Sequence, residues 1–294
     1  MQNTGGLLHE YIKECIHSKT RLCHISAALT FDPHPLEILA PSRKPALLTP
    51  LAERLRLIAE TGVSSCLLLP FTRELAALTP EEFVSQILGA WLVPDKSIAL
   101  AAGANWRFGR GGAGDLNTAA VASHGKIKTL CVPSVAIDGE PVSSSAIRRL
   151  IIAGDLARAS LMLGRHYEIR GVGAHGRGVG AKIGFATANI AHRFEVMPPC
   201  GVYAVEARII SASETEWLPA IANLGLRPTF IENETKPTLE VHILNGFDDD
   251  LHDAEIAVRF ISKIRDERKF ASPDELVRQI EQDTQSAQNI FNKS

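Results

Sequence analysis

The chain has 294 residues, enough for two domains of ordinary size, and its 45% hydrophobic content is that of a globular protein with real cores. Lys and Arg number 31 against 33 Asp and Glu, a formal charge of −2 that argues against a general nucleic-acid-binding surface. No run of about 18 apolar residues marks a membrane-spanning helix, and MQNTGGLLHEYIKE lacks the basic flank and long apolar stretch of a secretory signal. Cys15, Cys23, Cys66, Cys131 and Cys200 are scattered and form no CxxC pair, which reads as reduced thiols in a cytoplasmic protein without a zinc site or disulfide framework.

Leu7, Leu8, Tyr11, Ile12, Cys15 and Ile16 recur at helical spacing. His24–Phe31 reads as a buried strand, ended by Asp32-Pro-His-Pro, because each proline restricts the residue before it. Leu47–Thr61 is helical, with Leu51, Leu55, Ile58 and Ala59 on one face, and Ser64–Phe71 is a second buried strand. Thr79-Pro80-Glu81-Glu82 is a capping box that opens a helix running to about Trp91. Ser97–Ala102 and Ile127–Val132 are further strand candidates. Apolar strands alternating with helices predict a parallel sheet covered on both faces, with ligands beyond the strands' carboxyl ends. Three segments fall there: Thr30–Pro35, Gly103–Asp115 and Val142–Arg149. In the last, a helix starts within Ser143–Ser145, and its N-terminus beside an arginine is either an anion site or an ordinary N-cap. Arg107–Arg110 reads as a solvated loop when taken alone.

From about residue 163 the pattern changes to β-alternation. Gly171, Gly173, Gly176, Gly178, Gly180 and Gly184 precede Thr187 and Asn189. Such a run can wrap a phosphate with backbone N–H groups beside a hydroxyl suited to Mg²⁺, or can be a plain connector. It is neither a Walker A loop nor a convincing Rossmann fingerprint. Gly201–Ile209, Leu218–Gly225, Thr238–Leu244 and Glu255–Ile261 read as strands of a small barrel. Ser272-Pro273-Asp274-Glu275 is a second capping box, opening a helix with Leu276, Ile280 and Ala287 facing in. In TLEVHIL, Leu239, Val241 and Ile243 share one face while Glu240, His242 and Leu244 share the other. A carboxylate so placed is a candidate general base or a cross-strand partner for Arg or Lys. Asp248–Asp250 reads as a solvated turn.

GRHYEIRG, the Gly-rich run, GFATANI, GVYAV, ANLGLRPTF, TLEVHIL and IRDERKF follow one another along Leu163–Ala287. In that order they resemble the riboflavin kinase module of the bacterial bifunctional flavin-cofactor enzymes. TFDPHP, FTRELAALTPEEF, NWRFGRGGAGD and GEPVSSSAIRRLI, within Leu7–Leu163, resemble the FMN adenylyltransferase half of the same family. The resemblance implies an α/β Rossmann-like nucleotidyltransferase domain over 1–162, truncated at its N-terminus, then a small antiparallel β-barrel kinase domain with a C-terminal helix over 163–294. It implies phosphorylation of riboflavin by ATP with Mg²⁺, and adenylylation of FMN to FAD if the first domain is active. Glu240 would be the catalytic base and Thr187 the magnesium ligand. Gly176, Gly178, Gly180, Gly184 and Asn189 would serve ATP in the kinase, and Ser144, Ser145 and Arg148 would hold ATP phosphates in the other half. Asn105, Arg265 and Phe270 would contact flavin. The partners implied are the small molecules riboflavin, FMN and ATP, with no nucleic acid and no membrane.

Two departures from the family accompany the match. Ala186 stands where the family usually has proline before Thr-Ala-Asn. Only MQNTGG precedes Leu7, where the family opens with a strand and a Gly-x-Phe-Asp-x-x-His-x-Gly-His loop. His9 reads as a surface residue and His34 as structural or substrate-proximal, so neither replaces that loop. The expectation is an adenylyltransferase site with a back wall but without its catalytic loop, and a chain that makes FMN but little FAD. A catalytically silent flavin-binding or scaffold protein is the rival reading.

Overall fold

The computed structural model describes residues 26–92, 97–174, 187–192, 196–210, 216–228, 235–244 and 251–292. The helix expected from Leu7, with His9, lies outside the described residues, as do Gly176, Gly178, Gly180, Gly184, Ala186 and Asp248–Asp250. The chain divides into two compact units between Val142 and Ser143. No helix among the described residues is long and apolar enough to cross a membrane.

In the first unit, β1 (Ala27–Asp32) is followed by α1 (Pro35–Leu39), α2 (Leu51–Ala59) and β2 (Ser65–Pro70). β1 and β2 pair in parallel from Ala27 opposite Ser65 to Asp32 opposite Pro70, so the helices form the crossover that parallel neighbours require. His34 caps α1, its Nδ1 accepting from the Leu36 N–H at 3.1 Å, a structural use of that residue. Arg54 of α2 ties the crossover to the strand end, donating to the Phe31 carbonyl at 2.9 Å and to Asp32 at 3.4 Å. The buried residue of α2 is Glu53, where the periodicity pointed to Leu51, Leu55, Ile58 and Ala59. Glu53 tolerates burial because Arg56 Nε donates to it at 2.9 Å.

After α3 (Arg73–Ala77), the Thr79 capping box is formed in full. Glu82 N–H donates to Thr79 Oγ1 at 3.2 Å, and Thr79 N–H to Glu82 Oε2 at 2.8 Å. The helix begun as α4 (Pro80–Phe83) reaches Trp91 as predicted, through a π-helical turn at Val84–Leu88 and a 3₁₀ turn at Gly89–Trp91. β3 (Ile98–Gly103), α5 (Leu116–Ala122) and β4 (Ile127–Val132) make a second parallel pair. Phe83, Val84, Leu88, Phe108, Ala119 and Ile127 form the core, in which Trp106 stacks on Phe108 at 4.6 Å. The strands are parallel, but they are less buried than their apolar runs predicted. Cys66 and Leu68 on β2 are exposed, because among the described residues each strand has a single ladder neighbour. A short hairpin of β5 (Ala136–Ile137) and β6 (Glu140–Pro141) closes the unit.

The second unit opens with α6 (Ser144–Ala153) and α7 (Leu156–Leu163). Ser143 is the N-cap of α6, accepting from Ala146 N–H at 3.2 Å. Gly154 ends that helix at φ 82°, a left-handed C-cap that favours glycine. Six strands then close into a barrel: β7 (Tyr167–Ala174), β8 (Ala188–His192), β9 (Gly201–Ile210), β10 (Leu218–Pro228), β11 (Thr235–Ile243) and β12 (Glu255–Arg265). Around the ring the order is β10-β11-β8-β7-β12-β9.

Residues directly opposite in an antiparallel ladder share a face, and the registers assign the interior. Ala222 lies opposite Tyr203 and Val241, and Leu239 opposite Leu224 and Ile190. Phe260 lies opposite Val205 and Tyr167, and Val258 opposite Ala207 and Ile169. All of these side chains are buried. Large rings against alanines fill the narrow interior, with Tyr203 edge-on to Phe260 at 5.3 Å. The Tyr167 hydroxyl donates to the Val196 carbonyl at 2.6 Å and the Tyr203 hydroxyl to that of Pro199. Burial pushes the Tyr203 phenol up to about 12.

The C-terminal helix α8 (Pro273–Phe291) is capped by Ser272, which accepts from Glu275 N–H at 3.3 Å. The box differs from the prediction, since Glu275 Oε2 accepts from Ala271 N–H at 3.0 Å, one residue further upstream. Ala287 and Ile280 pack on Ala204, Ile221 and Leu244, which is the inward face expected from the pattern.

Two glycines of the Gly-rich run have a packing explanation. A Cβ at Gly171 would sit 2.3 Å from the Ala191 carbonyl oxygen, and one at Gly173 would sit 1.9 Å from that of Leu251. Both lie inside β7, where they admit a neighbouring backbone. Gly173→Ala is therefore predicted to destabilise the second unit by about 1–3 kcal/mol, the cost of overpacking a rigid contact. Denaturant unfolding of the two proteins checks this, and an unchanged midpoint would mean that the β7 backbone yields freely.

Candidate active site

Because Leu239 and Val241 point into the barrel, Glu240 between them leaves β11 on the outer face. Its ladder partners are Asn223 on β10 and Asn189 on β8. Asn223 also faces Val202 on β9, which in turn faces Arg265 on β12. One row, Arg265, Val202, Asn223, Glu240 and Asn189, thus crosses five strands on the outside of the barrel. The next row holds Ala204, Ile221 and His242. Thr187 precedes Asn189 by two residues, so alternation brings it to the same side.

A cavity of about 200 Å³ stands over these rows. Its floor is Val202, Ile221, Asn223, Glu240 and His242, and Thr187 is at its margin. Its cover comes from Leu276, Ile280 and Asp283 of α8 and from Arg265, Glu267, Arg268 and Phe270 just before that helix. The Phe270 ring is flanked by two guanidinium groups, Arg268 at 4.7 Å and Arg265 at 5.7 Å. Arg268 pairs with Glu275 at 3.5 Å. Glu267 lies against the β10 backbone, where a Cβ at Gly225 would come within 2.6 Å of its Oε1. The arrangement combines apolar walls with a few convergent oxygen donors, as small-molecule sites do.

No cluster of three or more His, Cys, Asp or Glu suited to a metal ion occurs among the described residues. Magnesium bound with phosphates needs only one or two protein oxygens. The Thr187 hydroxyl, the Asn189 amide and the Glu240 carboxylate offer such oxygens on one face, so the residues present fit that ion.

Residues 163–291 match the family model described as riboflavin kinase, and residues 9–146 match the one described as FAD synthetase. Over 269 residues the chain is 40% identical to the bifunctional riboflavin kinase/FMN adenylyltransferase of Escherichia coli strain K12, covering 90% of this chain and 82% of that protein. The chain belongs to this bifunctional family. The Bacillus subtilis strain 168 member is 33% identical over 268 residues, with 90% of this chain and 82% of that protein covered. A crystal structure described as a macrolide-efflux protein from Streptococcus pneumoniae aligns with a TM-score of 0.81 at 26% identity, covering 98% of this chain and 91% of that one.

Within this family fold, Thr187, Glu240, Arg265 and Phe270 line one cavity, and Asn189 lies in the same cross-strand row as Glu240. Ser144 and Ser145 are the first two residues of α6 and Arg148 lies further along it, in the second unit. Asn105 sits in the first unit, in the exposed turn closed by Trp106 N–H donating to the Gly103 carbonyl at 2.9 Å. Arg107 braces that turn, donating to the carbonyls of Ala104 at 3.1 Å and Trp106 at 2.8 Å. Asp115 caps α5, and hydrogen bonds from the Thr118 amide and hydroxyl hold its carboxyl below the usual range. Asn223 and Asp283 were not singled out from sequence, whereas Glu267 and Arg268 fall within the stretch 265–270 expected to border the flavin. Asn223 had a visible signal, since it shares the outward phase of Ile221 in an alternating strand.

Proposed function

We propose that the chain phosphorylates riboflavin with ATP to give FMN, and that its first half, if active, adenylylates FMN to FAD. The observation that carries the kinase reading is the placing of Thr187, Asn189 and Glu240 on one outer face beside a covered cavity. Glu240 takes the proton from the terminal ribityl hydroxyl as that oxygen bonds to the γ-phosphorus, and the bond to ADP breaks with its electrons. Asn189 orients the phosphates, and Asn223, opposite Glu240, helps to aim the carboxylate. The Thr187 hydroxyl would hold Mg²⁺, which would screen the phosphate charge. Gly176, Gly178, Gly180 and Gly184 serve the nucleotide phosphates by backbone amides. Phe270 borders the flavin, with the Arg265 guanidinium beside its ring.

The adenylyltransferase reading rests on the family match over residues 9–146. Asn105 serves the flavin and nucleotide there, and Ser144, Ser145 and Arg148 hold the triphosphate. We place the functional boundary at 162/163, so that α6 and α7 belong by role to the first half although they pack with the second unit. The substrates are small molecules, and the cytoplasm supplies them.

The test is to incubate the purified chain with riboflavin, ATP and Mg²⁺ and separate FMN from FAD chromatographically. Absence of FMN overturns the kinase reading, and FMN without FAD confines activity to the barrel. Glu240→Gln is expected to retain flavin binding and to lower kinase turnover by about 10²–10⁴-fold, the usual contribution of a general base. Turnover within a few-fold of wild type would remove Glu240 from the mechanism. Thr187→Val is expected to raise the Mg²⁺ concentration needed for half-maximal rate while riboflavin binding stays the same. An unaltered Mg²⁺ dependence would leave Thr187 a structural residue.

A further inference from the structure

Arg265 reaches the active-site row because β12 is irregular. Its register against β9 shifts between Phe260 and Ser262 and again between Lys263 and Arg265. A regular ladder continued from the Phe260–Val205 pair would put Arg265 opposite Cys200. The two shifts draw it back opposite Val202, in line with Asn223 and Glu240. Gly201 permits the close approach, since a Cβ there would lie 2.5 Å from the Arg265 carbonyl oxygen. Bulges of this kind re-aim a side chain at a site.

The re-aimed guanidinium is committed to the helix above. Nε donates to Asp283 at 2.9 and 3.1 Å and Nη2 donates to it at 2.8 Å, while Nη1 donates to the Asp266 carbonyl at 3.0 Å. Asp283 is 2% exposed and also accepts from Gln279 Nε2 at 2.8 Å. A carboxylate so buried depends on these donors, and the two-nitrogen fork fixes orientation as well as distance. Leu276, Ile280 and Asp283 follow one another at helical i, i+4, i+7 spacing. Fixing Asp283 therefore fixes the rotation that turns Leu276 and Ile280 over Glu240. The exposed Arg268–Glu275 pair contributes little to that rotation by comparison.

We infer that Arg265 is a positioning residue that, through Asp283, latches the C-terminal helix over the Glu240 row, and that riboflavin affinity depends on this latch. The inference rests on the kinase reading of the cavity. It assigns Arg265 the role of a strut under the cover instead of a ligand that touches the flavin.

The experiment measures riboflavin affinity by quenching of flavin fluorescence, and KM for ATP by turnover, in the full chain. Arg265→Lys and Asp283→Asn are each expected to weaken riboflavin binding by about ten- to a hundredfold, the range for losing one charged hydrogen bond. The double variant should lose no more than the worse single one, because both act through one contact. KM for ATP should stay within about twofold, since tenfold corresponds to a whole lost interaction. Gln279→Leu, which leaves the Arg265–Asp283 fork in place, should weaken riboflavin binding by a smaller factor in the same direction. It stands in if Asp283→Asn fails to fold. Weakened binding in Arg265→Lys with normal binding in Asp283→Asn or Gln279→Leu would mean that Arg265 touches the flavin, and would overturn the latch. Equal losses for riboflavin and ATP would reduce it to general destabilisation and also overturn it. A wild-type chain that binds riboflavin without making FMN would refute the kinase reading, and the same titrations would still decide the latch.

Discussion

The interior of the barrel is full, and the rest of the second unit follows from that. Tyr167, Tyr203 and Phe260 are at most 1% exposed and take up the interior with the buried alanines and aliphatic side chains opposite them. In a strand, alternate residues must go to opposite faces. Once Leu239 and Val241 are committed inward, Glu240 and His242 are sent outward, and the ladder aligns them with Asn223 and Ile221. The Glu240 row is therefore on the outer wall, in positions set by the packing of the buried residues beneath it. A slip of one residue in β11 would bury Glu240 and expose Val241, a change with a large penalty. The core thus holds the register on which the site depends.

An outer wall open to water is a poor place for proton and phosphoryl transfer, where electrostatic interactions are screened. The C-terminal helix supplies the cover. Its apolar stripe packs Ile280 and Ala287 on Ile221, Leu244 and Ala204, and Leu276, Ile280 and Asp283 also line the cavity. By admitting backbone where a side chain would collide, Gly171 and Gly173 let β7 approach its neighbours closely.

Much of this could be read before any coordinates. The period-two pattern of TLEVHIL put Glu240 and His242 on the polar face, and the i, i+4 pattern of the last helix gave its inward residues. Thr187 and Asn189 stood out two residues apart after the glycine-rich run, and the family resemblance gave them their expected roles. Other features depended on information that alternation does not carry. β8 contains only five residues and follows a glycine-rich run, so its pattern was too short to distinguish from a connector. The position of Arg265 was hidden because register shifts are events between strands, and a count along one strand misses them. Gly171 and Gly173 looked like part of a phosphate cradle, since a close backbone approach and an anion cradle demand the same residue. In the first unit the apolar runs correctly announced parallel strands, but burial depends on how many neighbours a strand has, which composition does not reveal.

The two halves of the site place different demands on the chain. Glu240, Asn189 and Asn223 are held by a ladder of backbone hydrogen bonds inside a closed barrel, so their geometry persists as long as the barrel does. The cover has no such ladder. It is held by one buried carboxylate, a capped helix start and an apolar stripe, each of which can be weakened without disturbing the barrel's hydrogen bonds. Local stability follows the density of such contacts, and binding elements are drawn from its lower end. A flavin must enter and FMN must leave between cover and floor. A rigid floor with a separately fastened roof allows that exchange while the Glu240 carboxylate keeps its aim. In this division Asp283 lies at the point where folding energy and ligand access meet: removing its partner would leave a buried charge uncompensated, while the helix must still yield enough for the flavin to pass.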